Sequence, residues 1–200
     1  MKRLIMISLM AAGMAAQPAL AQEWFIRAGA TLVDPASDNG DLAGLPADIN
    51  SNTQLGITFG YQMTPNIAFE LLAATPFSHK VSLQGLGTVA EFKQLPPTLN
   101  VQYIFMPEAK VSLYIGAGFN YTMVYDVKAV GALAGENIDI GDSWGMDAQL
   151  GLRFNLSNNW DITADIRYIG IDAGVELNGA DIGTAEVNPM VYSLMAGKRF

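Results

Sequence analysis

Apolar and polar side chains alternate along eight separate stretches of the chain. In the first stretch, Trp24, Ile26 and Leu32 belong to an apolar series whose members are separated by polar or small residues such as Arg27 and Thr31. Strict alternation of this kind is typical of a β-strand, because successive side chains of a strand point to opposite faces. The pattern predicts eight strands, over residues 24–32, 53–61, 67–73, 99–105, 113–123, 144–154, 160–168 and 192–200.

The length and spacing of these stretches favour a barrel that crosses a membrane. A tilted strand needs roughly 9 to 11 residues to cross a bilayer, and closed antiparallel membrane barrels commonly have an even number of strands. Short connections at 62–65, 106–110 and 157–159 alternate with long ones at 34–50, 76–87, 126–141 and 172–186. We therefore predict an all-β fold, an eight-stranded antiparallel transmembrane β-barrel with short periplasmic turns and long extracellular loops.

Aromatic residues of the apolar series gather at two levels when odd strands rise and even strands descend. The lower level holds Trp24, Tyr61, Tyr103, Phe105, Phe154, Trp160 and Phe200, and the upper level holds Tyr121, Tyr125, Trp144 and Tyr168. Aromatic side chains favour the two interfaces between a bilayer and water. A soluble, lipocalin-like barrel with an apolar pocket is the alternative, but it has no reason to form two aromatic girdles.

The first 21 residues have the features of a secretory signal peptide. Lys2 and Arg3 precede an apolar run over residues 4–16, and a small residue flanks Leu20 on either side at a cleavage site that ends with Ala21. We predict a cleaved signal peptide over residues 1–21 and a single transmembrane barrel domain over residues 22–200. Together, signal peptide and barrel predict the outer membrane of a Gram-negative cell.

Composition and charge narrow the function classes. Charged residues make up 15% of the chain, hydrophobic residues 50%, and the formal net charge is −8. An acidic chain with so few basic residues does not suit a nucleic-acid partner, which needs a basic surface. The chain has no cysteine, which excludes disulfides and thiolate metal sites.

Neither an enzyme nor a metal protein is indicated. His79 is the single histidine, and beside Lys80 in an outer loop we expect it to be solvated, which disfavours a lipid-modifying enzyme built on it. The segment Asp38-Asn39-Gly40-Asp41 faintly resembles a calcium loop, but Ile49 stands where the bidentate glutamate belongs. We predict no catalytic residues, no cofactor and no metal site.

Several segments together resemble one family of small outer-membrane barrels. They are Asn52-Thr53-Gln54-Leu55-Gly56, Glu70-Leu71-Leu72-Ala73-Ala74-Thr75-Pro76-Phe77, Leu95-Pro96-Pro97-Thr98, Tyr114-Ile115-Gly116-Ala117-Gly118-Phe119-Asn120-Tyr121 and Asp142-Ser143-Trp144-Gly145. In order and spacing they resemble the OmpW family, which includes the alkane-uptake protein AlkL. The resemblance implies that small hydrophobic molecules pass into the barrel and leave sideways. It also implies that the barrel-assembly machinery reads the terminal Phe200.

The polar phase of the strands predicts what fills the lumen. An ionic plug is expected from Arg27, Glu70, Asp147, Arg153, Asp161 and Asp165, because buried charges need partners; a polar ion path is the alternative. Above it, Leu72, Phe92 and Val124, with Val33, predict an apolar pocket or ordinary packing. The resemblance implies a constriction at Leu72. Arg167 stands where some members have an aromatic residue, which implies a polar constriction paired with Glu70 or Asp165.

Three prolines suggest a lateral gate. Pro76 ends the third strand, Pro96 and Pro97 interrupt the fourth, and a hairpin symmetric about Leu86 would place Pro76 opposite Pro96. Proline donates no backbone hydrogen bond, so opposed prolines would open the strand pair; alternatively they only mark the end of the ladder. We expect a passive transporter whose partners are outer-membrane lipid and small hydrophobic solutes. The alternative is a structural or recognition barrel that acts through its extracellular loops without transport.

Overall fold

A computed structural model describes residues 23–200 of the chain, and the predicted signal peptide lies outside this part. The strands are β1 (Glu23–Asp34), β2 (Asp41–Leu42), β3 (Leu45–Ile49), β4 (Asn52–Gln62), β5 (Ile67–Ala74), β6 (Phe77–Leu83), β7 (Gly87–Leu95), β8 (Thr98–Phe105), β9 (Val111–Ala129), β10 (Ile138–Ile140), β11 (Ser143–Asn155), β12 (Trp160–Ile169), β13 (Asp172–Leu177), β14 (Ala180–Glu186) and β15 (Met190–Arg199). Two short 3-10 helices cover Gly131–Leu133 and Ser157–Asn159. No helix within residues 23–200 is long and apolar enough to cross a membrane.

Eight of these strands close into one antiparallel barrel. Their order around the wall is β1, β4, β5, β8, β9, β11, β12 and β15, and β15 pairs again with β1. At mid-height Ala28 of β1 faces Ile57 of β4 on one side and Ala196 of β15 on the other. Closure gives every strand of the wall a partner on both sides, as a strand in hydrocarbon requires. The predicted fold class is confirmed.

The barrel wall carries its apolar side chains outside and its polar side chains inside. Large apolar residues such as Phe119 of β9, 66% exposed, cover the outer surface, whereas Glu70 of β5 is 2% exposed inside. This is the inverse of a water-soluble barrel, whose buried side chains are apolar. The lipocalin-like alternative is therefore excluded, and the outer face suits hydrocarbon.

Outward-facing aromatic side chains lie at both ends of the wall. At the end with the short turns, Trp24 packs against Phe59 and Tyr61, with ring centroids 5.1 and 4.7 Å apart. At the opposite end, the rings of Tyr121 and Trp144 are 4.4 Å apart. These two positions mark the levels at which the bilayer meets water.

The long connections form strands rather than the predicted loops. We call β2, β3, β6, β7, β10, β13, β14 and residues 124–129 of β9 the extracellular extension. Its side chains keep the alternation of a strand, but most of the buried ones are apolar: Phe77 and Val81 of β6 are buried, whereas Ser78 and Lys80 are exposed. Polarity inverts at the membrane boundary because water, not lipid, surrounds the extension. The sequence-based prediction stopped the strands too early, since it followed the transmembrane phase alone.

We predict that a charge on the outer wall is far more costly than the same charge on the extension. Leu150 faces outward in β11 beside Ile115 and Ile166, and Leu86, equally exposed, lies at the tip of the β6–β7 hairpin. Leu150→Arg should lower the free energy of unfolding in lipid vesicles by about 2–4 kcal/mol, measured by urea titration. Leu86→Arg, the matched control, should change it little. Equal losses in the two variants would show that the wall around Leu150 is not in hydrocarbon.

Candidate functional site in the barrel lumen and wall

A network of ion pairs crosses the lumen. Arg27 of β1 donates from Nη1 to Glu70 Oε2 (3.2 Å) and from Nε to Asp161 Oδ1 (2.8 Å). Arg167 of β12 donates from Nη2 to Glu70 Oε1 (2.6 Å) and from Nε to Asp165 Oδ1 (2.9 Å). Glu70 of β5 thus joins an arginine of β1 and an arginine of β12, the strand across the barrel from β5, and all five side chains are buried. We call these five residues the ionic plug.

Neighbouring side chains hold the ionic plug in place. Tyr114 of β9 donates its hydroxyl hydrogen to Asp165 Oδ2 (3.2 Å), and the guanidinium of Arg27 lies 4.0 Å above the ring of Phe25. An eight-stranded barrel is just wide enough for its interior to be filled by side chains. The ionic plug therefore blocks the straight path along the barrel axis.

The structure places two of the predicted plug residues, Asp147 and Arg153, outside the ionic plug. Asp147 is buried, but neither of its carboxylate oxygens has a hydrogen-bond partner in the described part of the chain. Arg153 donates to Gln62 Oε1 (3.2 Å) and to the carbonyl of Pro107 (3.3 Å), nearer the periplasmic end. Arg167, assigned to the constriction, lies within the ionic plug instead. Sequence alternation places all these residues inside but does not select partners across the lumen.

An apolar cluster fills the extracellular extension and the upper lumen. It contains Val33, Phe77, Phe92, Ile169 and Val191, with Val124 packed against it. Leu72 follows Glu70 by two residues on β5 and is also buried, so it lies directly above the ionic plug. Leu72, Phe92, Val124 and Arg167 therefore lie in different layers and do not form a single constriction.

The apolar cluster is closed in this structure. Its side chains, among them Val81, Leu133 and Val175, leave a cavity of about 20 Å³, the space of about one water molecule. A solute that entered from outside would have to separate these side chains. Their contacts with one another would be replaced by contacts of similar chemistry with an apolar solute, whereas a polar solute would gain no hydrogen bonds there.

The wall is interrupted above the ionic plug. The β5–β8 ladder ends at the pair Leu72 and Thr98, and the β6–β7 ladder starts at the pair Phe77 and Gln94. Residues 73–76 and 95–97 have no pairing with each other, and we call these two segments the wall interruption. Each keeps its other neighbour: Ala73 and Ala74 pair with β4, and Leu95 pairs with β9.

The prolines occupy the wall interruption, but they are not directly opposed. Phe77 faces Gln94, so continuation of that register places Pro76 beside Leu95 rather than Pro96. The predicted symmetry about Leu86 was wrong because the hairpin reverses at Gly85 and its register shifts between Val81 and Ser82. The carbonyl of Pro97 accepts a hydrogen bond from the backbone N–H of Tyr121 (3.1 Å), which holds this segment against β9.

His79 is buried directly above the wall interruption, contrary to the expectation that it is solvated. Its Nδ1 lies 2.7 Å from the carbonyl of Asn50, and its Nε2 lies 3.1 Å from Gln94 Nε2. The neutral ring fits both contacts if Nδ1–H donates to the carbonyl and Nε2 accepts from the amide. The rings of Phe77 and Phe92 lie 6.4 and 5.4 Å from the imidazole, between ring centroids. The sequence signal for this burial is the alternation of β6, in which His79 falls in the same phase as Phe77 and Val81.

We predict that Glu70 is far more important for stability than Asp147. Glu70→Gln keeps the side-chain shape but removes the charge shared by Arg27 and Arg167, and breaking a buried ion pair typically costs about 3–5 kcal/mol. Asp147→Asn removes a buried carboxylate that has no ion-pair partner, so the loss should stay below about 1 kcal/mol. Urea unfolding of both variants in lipid vesicles measures the difference. Similar losses would contradict the central position of Glu70.

We predict that the single imidazole of the protein titrates below the ordinary pKa of histidine. Burial lowers the pKa of His79 below 6.5, and the hydrogen bond to the Asn50 carbonyl opposes only part of this shift. The unfolded chain then binds the proton at higher pH than the folded chain does. Stability should therefore fall as the pH drops below about 6.5 towards the folded-state pKa.

Imidazole NMR resonances, followed against pH in micelles, measure this pKa without interference, since the chain has one histidine. Phe92→Ser should admit water to the ring and move the midpoint towards 6.5. A midpoint at or above 6.5 in the unsubstituted protein would contradict a neutral, buried His79.

Comparison with known proteins agrees with this architecture. The model of the OmpW family matches residues 21–200. Outer membrane protein W of Vibrio cholerae serotype O1 is 39% identical over 196 residues, which cover 89% of this chain and 88% of that protein. Outer membrane protein AlkL of Ectopseudomonas oleovorans is 31% identical over 179 residues, covering 86% and 76%.

A solved structure shares the barrel as well. The crystal structure of the outer membrane protein OprG from Pseudomonas aeruginosa matches with a TM-score of 0.81 and 33% identity, over 90% of this chain and 96% of OprG. OmpW-family proteins are non-enzymatic barrels of the outer membrane. Within residues 23–200 no three His, Asp or Glu side chains are grouped to hold a metal ion. The chain belongs to the OmpW family of outer-membrane β-barrel proteins.

Proposed function

We propose that the barrel takes up small hydrophobic molecules passively and releases them sideways into the outer membrane. The observation that carries this proposal is the wall interruption, which lies between the apolar cluster and the ionic plug. An apolar solute arriving from outside would meet a charged floor below and an unpaired wall beside it.

The ionic plug disfavours transport along the barrel axis. A solute that passed Glu70 would have to break its pairs with Arg27 and Arg167 and leave buried charges without partners. Such breakage costs about 3–5 kcal/mol, and an apolar solute offers no hydrogen bonds in return. The axial path is therefore the harder of the two routes for a hydrocarbon-like molecule.

The apolar cluster supplies an entrance of matching chemistry. Val33, Phe92 and Val124 surround the upper lumen, and Leu72 covers the ionic plug. Burial of apolar surface stabilises a bound hydrocarbon by roughly 25 cal/mol per Å². Because the cluster is packed in the absence of solute, the solute would have to displace side chains rather than fill a ready cavity.

The wall interruption lies at the level of the outer leaflet. Leu95 pairs with Met123, and the Pro97 carbonyl accepts from the N–H of Tyr121, an aromatic residue of the upper girdle. The lipid-facing pair Leu71 and Leu99 lies just below. A solute leaving here would enter the bilayer near its outer interface without contacting the ionic plug.

Assembly in the cell involves a further proposed partner. Phe200 is exposed at the periplasmic end, where its backbone N–H donates to the carbonyl of Trp24 (2.8 Å). We propose that the barrel-assembly machinery recognises this aromatic residue, as the resemblance to other outer-membrane barrels implies.

Uptake with a reversible staple across the wall interruption tests the proposal. Cells without the barrel, and cells expressing it, are compared for uptake of a poorly soluble alkane. Thr75→Cys with Leu95→Cys places one thiol in each unpaired segment, and the native chain contributes no other thiol. Oxidation should reduce uptake to the level of barrel-free cells, and a reductant should restore it.

A second cysteine pair provides the control. Leu71→Cys with Leu99→Cys joins positions that already face each other in the intact ladder, so its disulfide should leave uptake unchanged. Undiminished uptake by a verified Thr75–Leu95 crosslink would overturn lateral release. If the native barrel in the outer membrane gives no faster uptake than barrel-free cells, the alternative of a recognition barrel without transport is the better account.

A further inference from the structure

The cations of residues 23–200 fall into three groups by location. Arg27, Arg153 and Arg167 lie in the lumen, and Lys110, Lys198 and Arg199 lie at the periplasmic end. Within the described part of the chain, only Lys80, Lys93 and Lys128 belong to the extracellular extension. The rest of that region is strongly acidic, with carboxylates at Asp34, Asp38, Asp41, Asp48, Asp139, Asp142, Asp172, Asp181, Glu136, Glu176 and Glu186.

The three extracellular lysines share one outer face. Lys80 of β6, Glu91 of β7 and Lys128 of β9 are cross-strand neighbours in a single row. Lys80 Nζ lies 3.2 Å from Glu91 Oε1. Asp126 forms ion pairs with both other lysines: its Oδ2 lies 2.8 Å from Lys93 Nζ, and its Oδ1 lies 3.1 Å from Lys128 Nζ. We call these five residues the lysine surface. It carries one positive charge more than it carries negative charges.

The lysine side chains of this surface are accessible to solvent, and their ion pairs with Glu91 and Asp126 are weak. The side chains of Lys80 and Lys128 are 61% and 62% exposed. Ion pairs of this exposure contribute little to stability, because water and salt screen both partners. An external anion can therefore compete for the ammonium groups at small cost.

The level of this surface matches the polar layer of the outer leaflet. Lys93 of β7 pairs with Tyr125 of β9, which follows Tyr121 of the upper aromatic girdle by four residues on the same strand. Glu91 and its neighbours in the row lie two residues further from the membrane centre, roughly 7 Å along the strand. Beside them runs a groove of about 300 Å³, which Asn50, Asn52 and Ser78 also line.

We propose that the lysine surface binds the phosphate groups of an outer-leaflet glycolipid of the lipid A class. Phosphate is the anion that defines this layer of the outer membrane, and lysine binds it as a compact point charge. The acidic remainder of the extension repels the same lipid, so binding is confined to one sector. That sector begins directly above the wall interruption, since Lys93 adjoins Gln94. The inference rests on the membrane level and the charges, and not on transport.

Native mass spectrometry of the folded barrel in detergent measures how much lipid A stays bound. EDTA is present to remove Mg²⁺. The probe is diphosphoryl lipid A, and inorganic phosphate is the competitor. Replacing Lys80, Lys93 and Lys128 by glutamine should weaken lipid A binding by about tenfold, since each basic residue near an anionic lipid surface contributes about 1 kcal/mol and the internal pairs offset part of this. Lipid A lacking one phosphate should bind less tightly to the unsubstituted protein.

The control variant loses the same number of charges elsewhere. Replacing Lys110, Lys198 and Arg199 by glutamine should leave binding unchanged, and the heat-dependent gel shift of a folded barrel verifies both variants. Equal binding by the lysine-surface variant, or an equal loss in the control, would overturn the proposal. Full competition by inorganic phosphate at the lipid concentration would overturn lipid recognition in favour of a free-phosphate site. Binding that requires Mg²⁺ and survives the lysine substitutions would assign it to the carboxylates instead.

Discussion

A strand in hydrocarbon must be hydrogen-bonded along both edges, because no water is available to pair with its backbone. That constraint closes the eight long strands into a barrel and makes any gap in the wall costly. The wall interruption satisfies it in two ways. It lies at the upper girdle, where water and lipid headgroups are available, and three of its seven residues, Pro76, Pro96 and Pro97, have no backbone N–H to leave unpaired. The prolines thus lower the cost of the gap without having to face each other.

Closure with eight strands also determines the width of the lumen and the side chains that line it. Its interior is narrow and lined by the polar phase of each strand, so charges inside must pair with one another. Glu70 satisfies two arginines at once, and the result is a floor rather than a channel. Above the membrane the polarity of the interior inverts, and the apolar cluster rests on that floor with Leu72 between them. The proposed sideways route is based on this order of layers: apolar above, charged below and an unpaired wall between.

The sequence predicted what a single strand dictates and missed what depends on contacts between strands. Alternation, strand length and the spacing of the connections predicted the barrel, and the aromatic girdles predicted the face that meets lipid, because these features follow from the chemistry of each strand in its solvent. The sequence-based prediction paired Arg167 with Glu70 or Asp165 only at a separate constriction and placed Asp147 in the plug, whereas Arg167 meets both carboxylates within the ionic plug, Glu70 across 97 residues of chain, and Asp147 has no partner there. The register of the β6–β7 hairpin depends on a bulge at Val81 and Ser82 that no count from the sequence contains. His79 was placed in solvent because its strand was taken for a loop.

Mapping the path of a photoreactive alkane through the lumen distinguishes lateral release from passage along the barrel axis. A diazirine-bearing alkane is added to native outer membranes, and labelled residues are identified by mass spectrometry, with lumen-facing positions as the readout. Lateral release predicts label on Phe92 and Val124 and along the wall interruption, and none on Gln62 or Arg153, which meet inside the barrel nearer the periplasmic end. Label on lumen residues on both sides of the ionic plug would show an axial path and would contradict lateral release.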